Sequence, residues 1–217
     1  MSKVEKDDGV TAKKRINAQG LPWWLWILKH SQAIVTAGMT VGVIYYHNTQ
    51  GIYLTITALA TSFMAKGMKK IINQPRPDGS IVKTPGMPST HSATGTFIAL
   101  YLAILLARTQ PSSVDPTWLV PLKPVLVPSL ITFPALMIYS RVRLGVHTLE
   151  QCVAGAALGI STTILFYTVW AGYPNAQSQG FGHSVVKGLA GTQSVRELDV
   201  WLHETVVKVI RIIIPNL

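Results

Sequence analysis

Three short polar clusters stand at the edges of apolar segments and hold the side chains best suited to chemistry. They occupy residues 69–77, 88–91 and 140–151. Together they carry two histidines, His91 and His147, and five cations, of which Lys69, Arg76 and Arg141 are the candidates for chemistry. Ionisable residues beside membrane-depth segments are costly and usually mark a function. Cations and imidazoles without matching carboxylates indicate an anionic ligand, most simply a phosphate.

The third cluster predicts a nucleophilic histidine. His147 opens an apolar segment, with Glu150 and Gln151 three and four residues further on. These positions share a helical face with the imidazole. A nucleophilic histidine needs an acceptor on its second ring nitrogen. Gln151 offers an amide oxygen and Glu150 a carboxylate, and the spacing leaves both open. Arg143 is interpreted as a snorkelling cation.

The second cluster has the signature of a helix start. Proline followed by hydroxyl residues, as in Pro88-Ser89-Thr90-His91, is typical of a helix N-terminus. Free backbone N–H groups there favour an anion, and the hydroxyls of Ser89 and Thr90 add donors. His91 would then give a proton to a leaving group. The alternative is plain helix capping by Ser89 or Thr90, with His91 at the membrane interface.

The first cluster supplies two cations seven residues apart. Arg76 stands between Pro75 and Pro77, which stiffen the backbone that carries it. Arginine binds phosphate oxygens bidentately, whereas Lys69 would act as a point charge. For Lys69 and its neighbour Lys70 the alternative is a snorkelling helix end with a positive-inside role.

The composition indicates an integral membrane protein. Of 217 residues, 48% are hydrophobic and only 13% are charged, well below the usual quarter for a soluble domain. The formal charge of +10 then points to membrane phosphates and an anionic substrate. No nucleic-acid motif occurs, so no nucleic-acid partner is expected. The chain has one cysteine, Cys152, so no intrachain disulfide can form, and it has no carboxylate cluster for magnesium.

Apolar segments predict an all-α, polytopic transmembrane bundle of about five spans. They cover residues 21–46, 51–68, 93–107, 118–139 and 149–171. Four prolines in the fourth segment predict a kinked helix. If the spans alternate through the bilayer, all three polar clusters emerge on the same face. The alternative, buried helices of a soluble protein, leaves little polar surface for so short a chain.

The ends of the chain complete a three-part organisation. Residues 1–20 are predicted to form a disordered basic tail, and residues 21–172 are predicted to form a membrane-embedded core. Residues 173–217 form a linker and an amphipathic C-terminal helix. That helix is predicted to lie in the membrane interface, or to pack on the bundle or on another subunit. The formation of a homo-oligomer is therefore left as an open possibility.

The three clusters together resemble the type 2 phosphatidic acid phosphatases, which share their core with the vanadium haloperoxidases. That family's pattern is Lys-x6-Arg-Pro, then Pro-Ser-Gly-His, then Ser-Arg-x5-His-x3-Asp. All three parts occur here in order, from Lys69 to Gln151. The resemblance as a whole covers residues 63–159. Thr90 stands where glycine is usual. Gln151 stands where aspartate is usual. The neutral amide of Gln151 would stabilise an imidazolium less than the carboxylate of aspartate does.

The resemblance implies a metal-independent lipid phosphatase. His147 would attack phosphorus to form a phosphohistidine, and His91 would protonate the leaving oxygen. The residues that hold the phosphate would be Lys69, Arg76, Ser89, Thr90 and Arg141. The QPRP, GMPS, YSRV and HTLEQ runs are similar to the dolichyl-diphosphatase branch, which favours a polyisoprenyl diphosphate and the endoplasmic reticulum. A general phosphatidate or sphingoid-base phosphatase, or a silent lipid-phosphate-binding relative, are the alternatives.

The face of the membrane that holds the site stays open. Positive-inside counting places the basic tail and the site loops in the cytosol. Similarity to the dolichyl-diphosphatase branch implies a site facing the lumen instead.

Overall fold

The structure, a computed structural model, describes residues 27, 30–46, 49–78, 80, 82–108, 117–171 and 195–213. Its regular elements within these ranges are all helices, as predicted. They are α1 (Ser31–Tyr46), α2 (Thr49–Ile72), α3 (Thr90–Arg108), a 3-10 helix (Thr117–Leu122), α4 (Lys123–Arg143), α5 (Leu149–Ala171) and α6 (Val195–Ile213). The predicted tail 1–20 and the linker 173–194 lie outside the described residues, as does most of the tryptophan-rich stretch 21–28.

Three helices of the described chain are long and apolar enough to cross a membrane. They are α3, the helical run Val120–Arg143 that contains α4, and α5. Helix α1 has 16 residues and is therefore about 24 Å long, short of the ~30 Å hydrocarbon core. Helix α2 is longer but is rich in threonine and carries Lys69 and Lys70 in its last turn. The transmembrane helical class is thus supported, while the number of five spans stays a prediction.

Helix α3 occupies the centre of the bundle. Ten of its 19 residues are buried, and Phe97 and Tyr101 are fully so. Phe97 packs edge-on against Phe166 of α5, with ring centroids 6.0 Å apart, and Tyr101 packs against Tyr167 in the same way at 5.8 Å. In α4, by contrast, only Met137, Ser140 and Arg141 are buried. The predicted kink of α4 stays a prediction, although Pro128 and Pro134 lie inside this helix.

Two glycines bring α5 close to α3. A Cβ atom on Gly155 would meet the carbonyl oxygen of Ser89, and one on Gly159 would meet the carbonyl oxygen of Ala93. Small residues four apart let helices in membranes approach backbone to backbone. This contact sets the rotation of α5 and places the start of α5 beside the start of α3, where the site residues lie.

The predicted C-terminal helix is present as α6, and it contacts the bundle. Oδ1 of Asp199 accepts hydrogen bonds from the backbone nitrogen of Thr49 at 2.7 Å and from its hydroxyl at 2.5 Å. These bonds satisfy the first residue of α2, whose N–H has no partner within its own helix. Trp201 and Val200 on α6 remain exposed.

Candidate active site

The end of α2, the start of α3 and the turn between α4 and α5 meet at one end of the bundle. The backbone nitrogen of Ser89 donates to the carbonyl oxygen of Gln151 at 2.9 Å, which joins the second and third clusters. Nη1 of Arg76 donates to the carbonyl oxygen of Val146 at 2.8 Å, which joins the first and third. The three clusters therefore lie together at one end of the bundle.

His147 lies in the tight turn that ends α4. Gly145 adopts a positive φ of 64° in this turn, a conformation that glycine accepts without steric cost. The imidazole is 3% exposed. Its Nδ1 atom lies 3.1 Å from Oε1 of Gln151, and its Nε2 atom lies 3.0 Å from Nη1 of Arg76. Both ring nitrogens are thus held from opposite sides.

The residue that orients His147 is Gln151. Glu150 is exposed, whereas Gln151 is fully buried. Nε2 of Gln151 lies 2.7 Å from the carbonyl oxygen of Pro75, which can only accept, and Oε1 lies 3.3 Å from the nitrogen of Thr148, which can only donate. These two backbone groups fix the amide orientation. Oε1 therefore faces the imidazole, the proton sits on Nδ1, and Nε2 of His147 carries the lone pair.

Arg76 is held by the loop that follows α2. Its Nε atom donates to the carbonyl oxygen of Thr84 at 2.8 Å, and Nη2 lies 3.4 Å from the Thr84 hydroxyl. With the bonds to Val146 and His147, the guanidinium is fixed in a plane beside the imidazole. Such a planar fork suits the oxygens of a phosphate.

Ser89 caps α3. Its hydroxyl lies 3.4 Å from the nitrogen of Ser92 and 3.2 Å from the Ser92 hydroxyl, so its contacts are those of the capping alternative. Thr90 is the first residue of the helix and is 8% exposed. The backbone N–H groups of a first helical turn have no partner within their own helix, and this end of α3 faces the site.

His91, Lys69 and Arg141 complete the cluster. Arg141 is 5% exposed, while His91 and Lys69 are partly buried. The charges of Arg141, Lys69 and Arg76 all act on His91. The eight residues predicted for the site thus lie around one centre. No group of three metal-ligating side chains occurs within the described part of the chain.

The surroundings keep His147 neutral. Burial lowers its pKa to about 4, and the charge of Arg76 acts in the same direction, as do those of Lys69 and Arg141. The hydrogen bond to Gln151 opposes the shift. Because the pKa lies well below 7, the imidazole is neutral at physiological pH, which is the form that a nucleophile requires.

A polar cavity of about 530 Å³ opens beside Arg76. Its lining comes from the loop between α2 and α3: residues 73–78, 80 and 82–85. The cavity lies next to the histidines rather than on them, since both are absent from this lining. It offers room for polar groups beside the guanidinium of Arg76.

Sequence reasoning missed the residues that hold the site residues in place. They are Gln74, the carbonyl groups of Pro75 and Val146, and Thr84. The signal for Gln74 was its place in the QPRP run, two residues before Arg76. The other contacts are made by backbone atoms or by a loop threonine, and such contacts cannot be predicted from residue type.

Comparisons with known proteins agree with this geometry. A family model described as the PAP2 superfamily matches residues 49–173. Two proteins of Arabidopsis thaliana, named chloroplastic lipid phosphate phosphatases epsilon 1 and epsilon 2, are 27% and 26% identical over 128 and 140 residues. These regions cover 59% and 64% of this chain, but 43% and 46% of the plant proteins. The chain thus spans less than half the length of each.

A solved structure shares the fold. The crystal structure of a transmembrane PAP2-type phosphatidylglycerolphosphate phosphatase from Bacillus subtilis matches with a TM-score of 0.55 at 19% identity. The match covers 76% of this chain and 86% of the bacterial one. The helical arrangement described above is therefore that of a transmembrane PAP2 protein.

Proposed function

This chain belongs to the PAP2 superfamily, and on that premise we propose that it is an integral membrane enzyme that removes the terminal phosphate of a membrane lipid. One observation carries the proposal. His147 has its proton held on Nδ1 by Gln151, and its Nε2 lone pair faces a site lined by Arg76. A neutral imidazole among cations is the arrangement that attack on a phosphate requires.

The first step is transfer of the phosphoryl group to His147. The Nε2 lone pair attacks phosphorus, and the bond from phosphorus to the lipid oxygen breaks. His91 gives its proton to that departing oxygen. Lys69, Arg76 and Arg141, with Ser89 and the backbone amides of the first turn of α3, stabilise the charge on the remaining phosphate oxygens.

The second step is hydrolysis of the phosphohistidine. Water attacks phosphorus on the side from which the lipid left, and His91 accepts its proton. The bond from phosphorus to Nε2 then breaks, which restores the neutral imidazole and releases inorganic phosphate. The cations of the site act throughout, so no metal ion enters either step.

The substrate that we propose is a polyisoprenyl diphosphate such as dolichyl diphosphate, on the basis of the QPRP, GMPS, YSRV and HTLEQ runs. The second candidate is a lipid phosphate monoester such as phosphatidate or a sphingoid-base phosphate, which the names of the two plant relatives favour. The first substrate implies the endoplasmic reticulum. The plant relatives are chloroplastic, so a plastid membrane accompanies the second.

Phosphate release by the full-length protein, purified in detergent with EDTA present, tests this proposal. A polyisoprenyl diphosphate, phosphatidate and a sphingoid-base phosphate are compared, with His147→Ala as the matched control. We expect release that persists in EDTA and is lost in the variant, and the ranking of the three lipids selects the substrate. Release no greater than that of His147→Ala on every lipid would overturn the proposal and leave a silent, lipid-phosphate-binding relative.

A further inference from the structure

Hydrogen-bond partners surround the carboxamide of Gln151 on every side. Its Oε1 atom lies 3.1 Å from Nδ1 of His147 and 3.3 Å from the nitrogen of Thr148. Its Nε2 atom lies 2.7 Å from the carbonyl oxygen of Pro75 and 3.2 Å from Oε1 of Gln74. An amide has two donor hydrogens and two acceptor lone pairs, so these four bonds saturate it. A buried group saturated in this way is held in a single orientation.

The backbone of Gln74 is fixed in place by the loop. Its carbonyl oxygen accepts a hydrogen bond from the nitrogen of Gly86 at 2.8 Å. Gly86 is buried against the end of Gln151, and a Cβ atom at this position would collide with all three terminal atoms of that side chain. The absence of a side chain at Gly86 therefore leaves the space that the long carboxamide fills.

We infer that Gln74 is a positioning residue which, together with the Pro75 carbonyl and the Thr148 N–H, holds Gln151 in the orientation that sets the tautomer of His147, and that this site is built for an amide at position 151. The inference rests on the proposed function of His147. A carboxylate at position 151 would place a second unprotonated oxygen against the carbonyl of Pro75, which can only accept, and it would gain a donor from Gln74 only by turning that amide around. The change from the family's aspartate to Gln151 is thus matched locally by Gln74 and Gly86.

Two substitutions of Gln74 test this role. Gln74→Met keeps the length and removes the acceptor, and Gln74→Glu keeps an acceptor for Nε2 of Gln151. Loss of one buried hydrogen bond, ~1 kcal/mol, predicts about a fivefold lower kcat for Gln74→Met with KM within about twofold. In Gln74→Glu we expect kcat within about threefold of the wild type.

The second readout is the ring ¹⁵N spectrum of the histidines, assigned with His147→Ala. It separates the Nδ1–H from the Nε2–H tautomer and does not depend on turnover. We expect Gln74→Met to populate the Nε2–H form, which a merely structural role for Gln74 would not do. Wild-type kcat together with a wild-type spectrum in Gln74→Met would overturn the inference. A wild type that is inactive on all lipids would instead remove the proposed function, while the spectrum would still report on Gln74.

Gln151→Glu keeps the inference falsifiable should Gln74→Met fold poorly. The two side chains have the same shape, so the variant replaces the donor that faces Pro75 and Gln74 by an acceptor and adds one negative charge beside His147. We expect a kcat about tenfold lower, because an unpaired buried acceptor costs ~1–3 kcal/mol. A kcat above that of the wild type would show that the site prefers a carboxylate and would overturn the inference.

Discussion

Nη1 of Arg76 lies 3.0 Å from Nε2 of His147 and 2.8 Å from the carbonyl oxygen of Val146. Because Gln151 holds the imidazole proton on Nδ1, the guanidinium donates to the lone pair that attacks phosphorus in the proposed reaction. Arg76 must therefore turn from His147 to the phosphate oxygens when a substrate binds. Its bond from Nε to the Thr84 carbonyl, at 2.8 Å, keeps it within reach during that exchange.

Arg76→Lys is predicted to be severely impaired although it preserves the charge. A lysine cannot reach Thr84, Val146 and the phosphate at once, because its ammonium group lacks the planar fork. We expect kcat/KM to fall by about 100-fold, as on loss of an oxyanion donor. The control is the same substitution at the exposed Arg143, which should stay within about threefold of the wild type. If Arg76→Lys kept more than about a third of the activity, the guanidinium geometry would not matter.

The acid limb of the pH profile should report the lowered pKa of His147. Burial and the charge of Arg76 lower this pKa to about 4, so the neutral, nucleophilic imidazole persists as the pH falls from 7 and is lost only near pH 4. We expect a titration of the His147 ring signals, and the acid limb of kcat/KM, to be centred near this value. A midpoint near the ordinary histidine value, about 6.5, would contradict the buried, cation-flanked environment.

The helical class and the pairing of His147 with the first turn of α5 could be predicted from the sequence, because both follow from periodicity. The choice between Glu150 and Gln151 did not follow from periodicity, and Gln151 was indicated only by the resemblance to the family motif. One residue turns a helix by about 100°, and the rotation of α5 is set by Gly155 and Gly159 against α3.

Contacts that depend on the path of an irregular loop could not be predicted from the sequence either. The bond from Arg76 to Thr84 and the bond from Gln151 to the Pro75 carbonyl belong to a segment without periodicity. The pair of Asp199 and Thr49 is separated by 150 residues, and nothing in either neighbourhood indicates the other.

Lys69 and Lys70 offer a matched pair of substitutions. Lys69 is partly buried and its charge acts on both histidines, whereas Lys70 is exposed. We predict that Lys69→Ala lowers kcat/KM by about 100-fold through lost stabilisation of the phosphate charge. Lys70→Ala should remain within about threefold of the wild type. Equal losses in the two variants would assign both lysines to the snorkelling, positive-inside role.

Asp199 is predicted to stabilise the fold without affecting catalysis. Its carboxylate caps Thr49 at the start of α2, and Lys69 lies 20 residues along that helix, about 30 Å away at 1.5 Å per residue. Asp199→Ala should therefore lower the free energy of unfolding by ~1–2 kcal/mol, the range for loss of a helix cap. Its kcat/KM should stay within about twofold of the wild type, because the cap lies far from the site.

Unfolding in detergent, followed by circular dichroism, measures the effect of Asp199→Ala. The control is Glu204→Ala, which removes an exposed carboxylate from the same helix and should change stability by less than about 0.5 kcal/mol. Thr49→Val removes only the hydroxyl bond, so it should cost less than Asp199→Ala and should add little to it in the double variant, since both act on one contact. Full additivity of the two variants would show that α6 is held to the bundle by something other than this cap.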